Sequence, residues 1–93
     1  MNTDERFVVK QIVGRALDKG YLLSVFDGEE APIQRSDDLE AVMAELGHCD
    51  EELLLVHNAD GKQIGSIFLV YGNDAEELVC DCTDHPDILE IVG

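Results

Sequence analysis

Apolar residues recur along this chain with two different periods. Over residues 3–19, Val8, Val9, Ile12, Val13, Ala16 and Leu17 return every three or four positions. That spacing puts them on one stripe of a helix. Thr3 stands at the N-cap position, and Asp4 and Glu5 fall in the first turn, where the helix dipole favours negative charge. Gly20 fits the left-handed residue just past the end. Phe7 falls nearly opposite the stripe, in solvent or against a partner. The same period predicts a second helix over 37–46, with Ser36 as cap, Asp37 and Asp38 in the first turn, and Leu39, Val42, Met43 and Leu46 as its stripe. Gly47 ends it. A third, short helix is predicted after a cap at Asp84, with Pro86 in its first turn and Ile88, Leu89 and Val92 buried.

Between the helices the pattern shortens to strand length. Tyr21–Phe26 reads as a strand, Asp27-Gly28-Glu29-Glu30 as a turn, and residues 31–35 as a returning strand that Pro32 confines to a sheet edge. Residues 52–58, built on Leu53, Leu54, Leu55 and Val56, read as a central strand. Asn58-Ala59-Asp60-Gly61-Lys62 is a hairpin turn, and residues 63–71 return as the longest strand. Gly65 within it marks a place where another group comes close. Gly72-Asn73-Asp74 breaks the pattern. Residues 77–83 fit either a strand or a helix. Leu78, Cys80 and Cys82 alternate with Val79 and Asp81, which suits a last strand with both cysteines on one buried face. The order is α-β-β-α-β-β-β-α. It predicts an α+β, two-layer single domain spanning 1–93, with a mainly antiparallel sheet of four to five strands and two to three helices on one face.

The composition agrees with one small core. Of 93 residues, 45% are hydrophobic, so the acidity does not imply disorder. No apolar run approaches the roughly 18 residues that span a bilayer. The three cysteines, Cys49, Cys80 and Cys82, are an odd number, and the first residues lack the apolar stretch of a secretion signal. The expectation is a reduced, cytoplasmic protein.

Candidate chemistry is sparse. Cys80, Cys82 and His85 are zinc-ligand types, with His48 and Cys49 as further donors, but C-x-C is poor structural-zinc spacing. No calcium-loop or phosphate-cradling motif occurs. His57 and Ser66 lie on neighbouring strands of the predicted hairpin, where a Ser/His pair is one option, but there is no nucleophile elbow and no donor loop for an oxyanion, and His57 reads as a half-exposed strand residue. Cys49 beside His48 is adjacency in sequence, not the geometry of a nucleophile and its base. The reading is a non-enzymatic protein without metal or cofactor.

Charge changes the picture most. There are 21 acidic and 6 basic residues, a net of −15. Residues 1–20 hold three acids and four bases, a net of +1, while residues 21–93 hold 18 acids against Arg35 and Lys62, a net of −16. In the first helix Arg6 and Lys10 flank one side of the stripe, and Arg15 and Lys19 the other. A helix lying on an acidic body, its bases reaching over the edges, is expected to look like this. A net of −16 exceeds the magnitude of about 2–8 usual for a small soluble domain. It argues against nucleic acid or an anionic membrane as direct partner.

Val25-Phe26-Asp27-Gly28-Glu29-Glu30, Arg35-Ser36 opening a helix, and Val70-Tyr71-Gly72-Asn73-Asp74 followed by Asp84 resemble small acidic α+β proteins of phages, prophages and plasmids. The resemblance covers most of residues 21–85, rests on turn and cap chemistry, and carries no catalytic residue over. It implies a mobile-element accessory protein, a class that includes nuclease and CRISPR inhibitors. The resulting expectation is an acidic protein-binding module that imitates nucleic acid before a basic DNA- or RNA-binding protein. Asp27, Glu29, Glu30, Asp37, Asp38, Glu76 and Glu77 are the candidate partner-binding residues. A homodimeric accessory protein and a small zinc-binding protein are the alternatives.

Overall fold

The computed structural model describes residues 2–72 and 75–93. Asn73 and Asp74, part of the break expected after Gly72, lie outside the described residues. The chain forms α1 (Thr3–Asp18), β1 (Leu22–Phe26), β2 (Ile33–Ser36), α2 (Leu39–Glu45), β3 (Glu51–His57), β4 (Gln63–Val70), a 3-10 turn (Ala75–Glu77), β5 (Val79–Cys82) and α3 (Pro86–Val92). The architecture is α+β, in the predicted element order. One sheet runs β2-β1-β3-β4-β5, with every neighbouring pair antiparallel. The apolar run of β3 is central, and β2, which Pro32 precedes, is an edge.

The helices cover one face. Val9, Ile12, Val13 and Ala16 of α1, Val42 and Met43 of α2, and Ile88 and Ile91 of α3 join Leu23, Val25, Leu54, Val56, Ile67 and Leu69 of the strands in one core. Period-two alternation puts those strand residues on a common face. Gly65 lies on it too. A Cβ there would stand 2.9 Å from Ile88 Cγ1 and 3.0 Å from Thr83 Cβ, so the expected close approach is the docking of α3 on β4.

One flank of α1 bases reaches over to a neighbouring element, as expected. Arg15 donates to the Ile91 carbonyl at 3.0 Å, and Lys19 pairs with Glu90 at 2.9 Å, so one flank grips α3. Arg6 and Lys10 border a shallow groove against Leu39, Glu40 and Met43 of α2. Phe7 stands 63% exposed.

Each predicted cap moves by one or two positions, for a local reason. Asn2, not Thr3, caps α1. Its side chain accepts the Glu5 N–H, and the Glu5 carboxylate accepts the Asn2 N–H in return, a reciprocal bond the residue three beyond Thr3, Arg6, cannot supply. Asp38, not Ser36, caps α2, accepting from the N–H groups of Glu40 and Ala41. Ser36 ends β2, and its hydroxyl accepts the Asp38 N–H. His85, not Asp84, caps α3 through Nδ1, with Pro86 in the first turn. Leu89, expected in the core, is 46% exposed, and Ile91 is buried in its place. Residues 79–82 are strand, but the register shifts between Phe68 and Leu69. That irregularity defeats the expected buried face of two cysteines: Cys80 is exposed and Cys82 half-buried.

Candidate partner-binding surface

The strand directions sort the acidic residues by position. β1 ends at Phe26, opposite Leu53 near the start of β3, and β4 ends at Val70, opposite Glu51. The β1–β2 turn, the α2–β3 loop and the 3-10 turn therefore meet at one end of the sheet. That end gathers Asp27, Glu29, Glu30, Glu76 and Glu77 of the predicted set, together with Asp50 and Glu51. Residues 27–32, 46–52 and 75–78 contain no Lys or Arg. Asp37 and Asp38 follow β2 at the opposite end, where the hairpin also carries Lys62. The predicted set thus divides into five residues together and two apart.

Several carboxylates have structural duties. Asp27 Oδ1 accepts the N–H groups of Glu29, at 2.9 Å, and Glu30, at 2.7 Å. These bonds, Glu30 first, hold its carboxyl below the ordinary range, so the turn keeps a fixed negative charge at its corner. Asp38 is committed to its cap. Glu5 and Glu52, which the sequence does not distinguish from surface acids, are buried, at 1% and 2% exposed. Glu5 bridges the Asn2 and Gly72 N–H groups, and Glu52 accepts the Gly47 N–H at 2.6 Å. The Tyr71 phenol lies beside Glu52, and burial, then that carboxylate, push its ionisation far above the ordinary tyrosine range. These two acids brace the acidic end from within.

Among the described residues, no layer covers the sheet face turned away from the helices. Leu22, Phe26, Leu53, Leu55, Phe68 and Val70 point that way by alternation, are half-buried, and stand outside the core cluster. Register aligns Phe26, Leu53, Phe68 and Asp81 in one row across four strands. A depression of about 440 Å³ opens over this row, and Asp27, Glu51, Ser66 and Cys82 also line it. The apolar floor is thus continuous with the acidic end.

The Ser and His weighed as a pair across the hairpin are not brought together. Ser66 pairs with Leu55, not with His57. His57 is buried, 7% exposed, where a half-exposed residue was expected. Its Nε2 lies 2.8 Å from Ser24 Oγ, which also accepts the Arg35 N–H at 2.9 Å. The β1–β2 register is irregular between Leu23 and Val25, and Arg35 adopts a φ of 49°, so the Ser24 hydroxyl fills a bulge. A sequence pattern does not signal this pair, because it depends on the long-range β1–β3 register that sets Ser24 diagonally across from His57. Cys49 is flanked by Asp27, Asp50 and Glu52. Desolvation, then those carboxylates, raise its thiol pKa, so it stays protonated at neutral pH. His48 Nε2 is directed at the Ala44 carbonyl, 2.7 Å away, rather than at the thiol. His85, one of the zinc-type residues, uses Nδ1 for its helix cap. No helix among the described residues is long and apolar enough to cross a membrane.

Comparison with protein-family models, with curated proteins and with solved structures finds no match to this chain.

Proposed function

We propose that the protein is a non-enzymatic acidic binding module whose partner is a basic, nucleic-acid-binding protein, held through the acidic end of the sheet. The observation that supports this most is the convergence of three successive strand-end segments, all without Lys or Arg, on one end of a rigid sheet. Carboxylates fixed on a scaffold present a field like that of a phosphate row, and a basic groove responds mainly to that field. Glu29, Glu30, Glu76 and Glu77 are exposed there, as are Asp50 and Glu51, and Asp27 sets the shape of the β1–β2 turn. Asp37 and Asp38 belong to the far end and contribute to the general field only.

Affinity capture from the native host, repeated at low and moderate salt, tests this reading. A basic partner should be retained at low salt, released steeply as salt rises, and displaced by DNA or RNA. A Glu29→Lys/Glu30→Lys double substitution should weaken it without unfolding the protein. Retention that ignores salt and nucleic acid would overturn the proposal.

A further inference from the structure

The acidic end and the bare sheet face are continuous, and their combination selects a more specific ligand than charge alone. Phe26 on β1 and Phe68 on β4 flank Leu53 on the central strand β3. Two inter-strand steps separate the phenylalanines, about 10 Å, close to the width of an α-helix. Asp27, Glu51 and Asp81 stand around this trough, and β5 ends the aromatic row with the Asp81 carboxylate rather than another apolar side chain. A second copy of this chain would bring a like-charged rim against this one, which disfavours self-pairing. We propose that the trough is the docking site for a basic amphipathic helix of the partner. Its bulky apolar side chains would seat over Phe26, Leu53 and Phe68, with Lys or Arg on its flanks reaching Asp27, Glu51 and Asp81. Such a helix would give the sheet a second layer, matching the three helices on its other face. This inference rests on the proposed preference for a basic partner and adds that an apolar anchor is required.

The test uses the full chain and three synthetic peptides. One is a short helix-forming peptide with a Leu/Phe face and Lys flanks, one is oligolysine of equal charge, and one keeps the Leu/Phe face with Glu in place of Lys. Calorimetry gives affinities, and amide chemical-shift changes give the location. The Lys/Leu/Phe peptide should bind tighter than oligolysine, shift the amides of Phe26, Leu53 and Phe68, and gain no comparable affinity from the Glu version. Phe68→Thr, which keeps a strand-favouring residue, should weaken it by about tenfold or more, the worth of one large apolar contact. Asp81→Asn with Glu51→Gln, which leaves the apolar floor intact, should weaken it in a salt-dependent way. Equal binding of oligolysine and the amphipathic peptide, with shifts confined to the acidic turns, overturns the trough as a site and leaves the mimic reading standing. Binding by neither basic peptide overturns both. Sedimentation that finds a dimer strengthened by salt, with the trough amides protected, overturns the inference in favour of a second copy.

Discussion

Ser24 and His57 form a buried polar link on the open face of the sheet, and its response to pH follows from its surroundings. Ser24 Oγ accepts the Arg35 N–H and lies 2.8 Å from His57 Nε2, so the hydroxyl ties β2 to the imidazole of β3. Desolvation, then the nearby Arg35 charge, lower the His57 pKa, opposed in part by the Gly61 carbonyl. The unfolded chain, with an ordinary pKa of about 6.5, therefore takes up the proton before the folded one does. Stability from this residue is complete above about pH 6.5 and declines as pH falls from there toward the lower folded value. Urea unfolding between pH 7.5 and 5.5 should record that decline, and His57→Gln should flatten it. None of this could be read from the sequence, since Ser24 and His57 become diagonal neighbours only through the β1–β3 register, which pairs Leu22 with His57 and Ser24 with Leu55. Gly65 was legible, because a lone glycine within a strong strand pattern has few explanations besides a close neighbour.

At the scale of elements, the helix stripes and the hairpin were plain from periodicity, while caps and buried acids were not. A cap depends on which of several Ser, Asp or Asn residues completes a bond a few positions on, and the chain has several in each region. Glu5 and Glu52 resemble every other acid in a chain so rich in them. Their burial depends on backbone N–H groups brought from Gly72 and Gly47. The consequence is measurable at the start of α1. Asn2→Ala removes one cap bond and should cost about 1 kcal/mol. Glu5→Ala leaves two backbone N–H groups without their charged acceptor and should cost more, about 2–3 kcal/mol. Thermal or urea unfolding of both variants checks the order, and equal costs would mean that Glu5 serves only as a cap. The bare face of β3 was hidden for another reason. A run such as Leu53–Val56 reads as buried on both sides, whereas here only Leu54 and Val56 meet the helices.

For the molecule as a whole, charge and shape work against each other. A net of −15 is held within extents of 34 × 26 × 21 Å. The screening length is about 10 Å at 0.1 M salt, shorter than any of these dimensions. Added sodium chloride should therefore relieve self-repulsion and raise the melting temperature by several degrees between low and moderate ionic strength. Calorimetry in a salt series checks this, and a flat or falling trend would mean that attractive pairs such as Lys19–Glu90 offset the repulsion. The central place of β3 has a kinetic consequence as well. Its partner β4 follows after a five-residue turn, Asn58–Lys62, whereas its other partner, β1, must close a loop running from Phe26 to Leu53. Loop-closure entropy favours the short connection. The β3–β4 hairpin is expected to assemble first and to template the arrival of β1 with its edge strand. Stopped-flow chevrons should then place the effect of Ile67→Val mainly in the refolding limb and that of Val25→Ala mainly in the unfolding limb. The slow step of this small protein would be the recruitment of its own N-terminal third.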